Sequence, residues 1–210
     1  MNKMQLYALS AVAVALAGMG GMYAYSQLAA PSSDDQFAQC RTTAIAGGAG
    51  SIGGPFELVS ETGATVTEVD VITKPSLIYF GYTYCPDVCP LDSARNADAV
   101  AILQERGYDV QPVFITIDPA RDTPEVLADY TSYLHEDMIG LTGSEEQIKA
   151  ASQAYRTYYR KQDGDPEYYL MDHSTFSYLT LPEHGFVEFF RREVSAEQLA
   201  DQMACFVDAS

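Results

Sequence analysis

Residues 76 to 82 read SLIYFGY, with almost no polar side chain. A run this short and this apolar predicts a strand buried on both faces. Such a strand needs helices layered over it, which commits the chain to an α/β fold around a central sheet. The loop TYCPDVCP follows directly and brings two of the four cysteines, Cys85 and Cys89, to the strand's carboxyl end. Ligands gather at that edge of an open α/β sheet.

The flanking pattern fills in the fold. PFELVS and ATVTEVDVI alternate around Glu61-Thr62-Gly63 and predict an initial hairpin. Leu91, Ala94, Ala97, Val100 and Leu103 repeat with helical spacing, and Gly107 closes that helix. PVFITID predicts a second buried strand. Thr123 and Pro124 open a helix to about His135, and MIGL is a short strand. Ser144 with Gln147 forms a capping box for a helix to about Tyr159, and KQDGDPE reads as a loop. STFSYLTL and FVEFFRR form a hairpin about Pro182-Glu183-His184-Gly185. Ser195 and Gln198 cap a last helix ending near Val207. Alternating βα units followed by an antiparallel pair and a helix make a thioredoxin-like α/β fold with an added N-terminal hairpin, spanning 55–210.

The first thirty residues stand apart. Met4 to Tyr25 is mostly apolar, with Lys3 the only charged side chain before Asp34. The run is longer than a signal-peptide core and long enough to cross a bilayer. It is expected to be a transmembrane anchor over 1–30, with a cleaved secretory signal as the alternative. Lys3 favours an N-in, C-out orientation. The first arginine is Arg41, which argues against an arginine-rich mitochondrial presequence. The expected location is a bacterial inner membrane, single-pass, with the soluble domain in the periplasm. Residues 31–54, rich in glycine and small polar residues, are expected to be a flexible linker. The net charge of −17 argues against a nucleic-acid partner and against adhesion to anionic lipid.

The cysteine loop admits three uses: a structural disulfide, a redox couple or a metal clamp. A bridge across so short a loop is a poor staple, because stabilisation grows with the loop closed. Pro90 disfavours helical geometry at Cys89. Cys89 is therefore expected at the N-cap, with Pro90 the first helical residue. The positive end of the helix would then favour the Cys89 thiolate. Thiolates select soft ions, Cu(I) or zinc. Structural zinc needs four protein ligands, whereas three donors suffice for Cu(I).

Three histidines compete for the third position. His135 at a helix end and His184 in a hairpin tip have ordinary structural explanations. His173 precedes a strand expected to run antiparallel to SLIYFGY, which places it at the cysteine edge. Asp172 beside it is either an orienting partner for the imidazole or a strand-end cap.

Three stretches, YFGYTYCPDVCP, TIDPARDTPE and DHS, together resemble the Sco/SenC copper chaperones, from about Gly53 to the C-terminus. The resemblance implies a membrane-anchored protein with a thioredoxin-like domain that binds copper, Cu(I) or Cu(II), through Cys85, Cys89 and His173. It implies service to the dinuclear copper site of cytochrome c oxidase subunit II, with other periplasmic copper chaperones or thiol reductases as further partners. The same cysteines of such proteins cycle between dithiol and disulfide, so thiol–disulfide oxidoreductase activity on that site or on another chaperone is the alternative. Asp118, ending a strand at the same edge, is expected to support the site without ligating, since a hard carboxylate matches Cu(I) poorly. A peroxiredoxin is disfavoured, because Tyr82 and Pro86 stand where its threonine would precede a reactive cysteine.

Cys40 and Cys205 are not part of that pattern. They are expected to form a disulfide pinning the linker to the last helix, with two unconnected thiols as the alternative. Cys205 follows Leu199 and Met203 with helical spacing.

Overall fold

The computed structural model describes residues 18–22, 35–42, 49–165 and 168–210. The chain divides into two compact units, Met1–Gln36 and Phe37–Ser210. Most of the expected anchor lies outside the described residues. Among those described, no helix is long and apolar enough to cross a membrane.

The second unit is built on a seven-stranded sheet. Its strands are β1 (Glu57–Ser60), β2 (Thr65–Thr67), β3 (Ser76–Gly81), β4 (Gln111–Thr116), β5 (Ile139–Thr142), β8 (Ser177–Leu181) and β9 (Gly185–Phe190), in the order β2-β1-β5-β4-β3-β8-β9. The apolar run is β3, and all six of its residues are buried. It lies parallel to β4 and antiparallel to β8, with Tyr79 opposite both Phe114 and Ser177. The carboxyl ends of β3 and β4 and the start of β8 therefore share one edge.

The helices are α1 (Glu68–Val71), α2 (Val88–Glu105), α3 (Pro124–Leu134), α4 (Glu145–Ala154) and α5 (Ala196–Asp208). Thr123, Ser144 and Ser195 accept hydrogen bonds from the backbone at the starts of α3, α4 and α5, as N-caps do. Two buried clusters cover the sheet. One includes Leu77, Val100, Leu103, Leu179, Met203 and Phe206, between the sheet and the helix pair α2 and α5. The other includes Ile78, Phe80, Phe114, Leu127, Ile148 and Tyr155.

Four expectations change. Glu68–Val71, read as strand, is helical, because Asp70 accepts the Thr67 N–H at 2.9 Å and closes a capping box. The helix expected to reach Tyr159 stops at Ala154, where Arg156 takes a left-handed conformation at φ 51°. Either side of the segment read as a loop, the structure holds a strand pair the sequence did not suggest, a separate two-stranded sheet of β6 (Tyr159–Lys161) with β7 (Met171–His173). Part of the expected linker is folded. Phe37 is buried, its ring packs on Phe206 and His184, and Cys40 is bridged to Cys205.

Candidate metal centre

Cys85 lies in the loop after β3, Cys89 in the first turn of α2, and His173 at the end of β7. One ligand atom from each lies within 4.8 Å of the other two. A metal–sulfur bond of about 2.3 Å spans such a gap from its middle. Both cysteines are free and buried, and His173 is half-buried. His135 and His184 are not in this group. Among the described residues it is the one cluster of this kind.

The helix begins two residues earlier than Pro90 suggests. Val88 is its first residue and Asp87 its N-cap, so Cys89 is second and Pro90 third. Proline is accommodated there because the first N–H groups of a helix have no partner within it. This reverses the expected roles of the thiols. Cys89 Sγ turns into the core, while its N–H donates to Cys85 Sγ at 3.4 Å. Cys85 therefore takes the helix terminus. Its hydrogen bond with the Cys89 thiol, aided by the N–H groups of Cys89 and Asp87, overcomes burial and pulls its pKa down to about 3. Cys89 is pushed well up, first by that same bond to Cys85 and then by burial. The surroundings of the pair therefore favour a thiolate on Cys85 over one on Cys89.

His173 Nε2 lies 3.3 Å from Cys89 Sγ. Its Nδ1 donates to the Ser174 carbonyl at 2.8 Å. That bond leaves the Nε2 lone pair on the cysteine side, the arrangement a metal-binding imidazole requires. Asp172 does not orient the ring. Its carboxylate accepts from Arg160 at 2.9 Å and Gln162 at 2.6 Å, and Ser174 does the orienting instead. Neighbouring strand residues face opposite ways, so Asp172 and His173 cannot both point at the cysteines. The rings of Tyr79 and Tyr82 stand edge-on to the imidazole, with centroids 6.4 and 5.9 Å away.

The walls of the site explain its sequence. A side chain at Gly81 would meet Cys89 Sγ at 3.2 Å and the Tyr79 ring at 2.9 Å, so the thiol sits where only glycine leaves room. Asp122 is fully buried after β4. It accepts from the Thr83 N–H at 3.0 Å, the Thr83 hydroxyl at 2.6 Å and the Thr116 hydroxyl at 2.6 Å. It thus ties the cysteine loop to the neighbouring strand. Asp118 does not reach the cluster. It accepts from the Tyr169 hydroxyl at 2.7 Å and pairs with Arg121. Sequence reasoning missed Asp122, although it stands in the quoted DPARDTP stretch, and missed Tyr82, whose hydroxyl accepts the Met171 N–H at 3.2 Å.

Two thiols and an imidazole, buried on one side and reachable from one edge, suit a soft monovalent ion and lack the fourth protein ligand of structural zinc. Comparison with known proteins agrees. The SCO1/SenC family model matches residues 46–208. This chain belongs to the SCO1/SenC family. It is 58% identical over 180 residues to Protein SenC of Rhodobacter capsulatus, covering 85% of this chain and 80% of that protein. Among solved structures, copper-bound ScoI of Arabidopsis thaliana superposes with a TM-score of 0.71 at 41% identity, over 75% of this chain and 99% of that one. Copper-bound ScoI of Bradyrhizobium japonicum gives 0.66 at 35% identity, over 73% and 98%. The likeness extends to the thioredoxin-like architecture, here with an added β1–β2 hairpin.

Proposed function

We propose that this Sco/SenC protein is a membrane-anchored copper chaperone that delivers copper to, or prepares, the dinuclear copper site of cytochrome c oxidase subunit II. The observation that carries this reading is the convergence of Cys85 Sγ, Cys89 Sγ and His173 Nε2 within 4.8 Å at one sheet edge. Copper is cargo here. Cys85 supplies a ready thiolate, and Cys89 gives up its proton as the ion binds. His173 offers a lone pair already aimed inward. Three donors satisfy Cu(I) without enclosing it, so a recipient's ligands can displace them in turn.

The N-terminal apolar run and the Cys40–Cys205 bridge support an inner-membrane protein facing the periplasm, since structural disulfides persist in oxidising compartments. Oxidation of Cys85 and Cys89 to a disulfide removes both thiolates and closes the site to copper. Thiol–disulfide exchange with other periplasmic chaperones or reductases therefore acts as a gate on loading. A pure exchanger has no use for the imidazole on Cys89.

Copper titration of the reduced full-length protein tests this. One copper per chain is expected, with sulfur and nitrogen ligands by X-ray absorption. His173→Ala weakens binding by about two orders of magnitude, a ligand's loss being at least as costly as that of its outer-shell support. It leaves Cys85–Cys89 reducible, and His184→Ala changes little. Absence of copper–sulfur bonding in the wild type would overturn the chaperone reading.

A further inference from the structure

His173 is delivered by an element that barely holds itself. β6 and β7 are three residues each and share no strand pairing with the main sheet. A lone two-stranded ribbon is marginal in water. Nor does it rest on filled core throughout. A cavity of about 480 Å³ lies between the ribbon and the start of α4, bordered by Tyr159, Lys161, Met171 and Lys149. Met171 and Tyr169 pack into the buried cluster and the Met171 N–H is held by Tyr82, and a further polar tie helps fix the imidazole against Cys89.

The fixing group stands two residues before Met171. Tyr169 is buried, and its hydroxyl donates to Asp118 Oδ1 at 2.7 Å. Arg121 lies over its ring at 3.6 Å, and Lys161 over the same ring at 3.5 Å. Arg121 also pairs with Asp118, and its Nη2 is buried with no hydrogen-bond partner, facing rings rather than acceptors. It lies 4.8 Å from the centroid of Tyr84, beside Cys85. One cation thus bridges the cysteine loop, the end of β4 and the ribbon. Burial first, and then the Asp118 carboxylate, push the Tyr169 phenol up to about 12, so it stays a donor at neutral pH.

We propose that Tyr169, latched to Asp118 and Arg121, is a positioning residue that sets His173 against the cysteines and thereby controls how many ligands hold the copper. With the latch closed the site has three donors. With it open the imidazole leaves with the ribbon and two thiolates remain, a weaker hold from which a recipient can take the ion. The inference rests on the copper-binding reading, and its test separates the two.

Tyr169→Phe keeps the ring and its cations but removes the donor. In the metal-free full-length protein, amide hydrogen exchange at Met171 and Ser174 is expected to accelerate, while exchange within β3 and β4 stays unchanged. Copper affinity falls about tenfold, with nitrogen ligation weakened and sulfur ligation intact. In the His173→Ala background, Tyr169→Phe costs less than about twofold more, because it acts through the imidazole. Additive losses in the double variant, or unchanged exchange and affinity in the single one, would overturn the latch. A wild type that binds no copper would overturn the chaperone reading itself, while the exchange measurement still tests the latch in the metal-free protein.

Discussion

A single charge shared between two thiols decides how this site meets its metal. Cys85 has its pKa lowered to about 3, so its contribution to stability is present above the unfolded thiol value and is lost as pH falls through the folded one. Cys89 runs the other way. Its raised pKa contributes stability below the unfolded value, and that contribution is lost as pH rises toward the folded value. Between the two, the reduced protein carries one thiolate. Ultraviolet thiolate absorbance of the reduced, metal-free protein is therefore expected to stay at one per chain from about pH 5 to about pH 8, the range between the folded Cys85 value and an ordinary thiol. Cys85→Ser removes that signal, and Cys89→Ser keeps it. A single transition near pH 8.5, the value of an unperturbed thiol, would show that neither the Cys89 thiol nor the helix terminus charges Cys85. Which thiol is charged was not legible in the chain. It turns on a two-residue shift of the helix start, since Pro90 fits the third position of the first turn as well as the first. That shift turns one sulfur inward and leaves the other at the N-terminus.

The elements divide by how they are specified. The central strands and capped helices were legible because each carries its own signal. SLIYFGY and PVFITID are apolar without period, and Thr123, Ser144 and Ser195 mark helix starts where the structure has them. The ribbon carrying His173 was not legible. YRK and MDH are too short and too polar to show alternation, and their pairing depends on distant partners, Tyr82 and Asp118. The position of His173 near the cysteines was still inferable, because β8 must begin at that edge whatever precedes it. The cysteine loop likewise borrows its shape, from Asp122. That carboxylate is fully buried and accepts three hydrogen bonds, two of them from Thr83. Asp122→Ala leaves the buried Thr116 hydroxyl and the half-buried Thr83 donors without that acceptor. It is expected to lower stability by about 2–4 kcal/mol in urea unfolding of the reduced protein. The loop should also open locally, seen as faster amide exchange at Thr83 and Cys85. A stability change under about 0.5 kcal/mol, the scale of an ordinary surface substitution, would mean the loop is anchored elsewhere.

Across the second unit, the two cysteine pairs occupy opposite edges of one sheet. Cys40 and Cys205 join the buried cluster that holds Leu77 at the start of β3, Val110 just before β4 and Leu181 at the end of β8. Cys85 and Cys89 sit where β3 and β4 end. The buried sheet stands between the bridge and the metal centre, so thiols cannot exchange across it without unfolding. The bridge joins residues 165 apart in sequence. In the chain-entropy account, closing so long a loop stabilises the native state by about 5 kcal/mol, and measured losses on removing native bridges run at about 2–5 kcal/mol. It also holds Phe37 against Phe206, so that the chain enters the unit at this edge rather than beside the metal centre. The double variant Cys40→Ser with Cys205→Ser should therefore lower stability by about 2–5 kcal/mol, read by urea unfolding with the Cys85 and Cys89 thiols reduced in both proteins. Copper stoichiometry and ligand type should stay as in the wild type, because no atom of the centre touches the bridge. Loss of copper binding in a variant that remains folded would mean that the two edges are coupled. A stability change within experimental error would mean that burial of Phe37, and not the bridge, holds the segment in place.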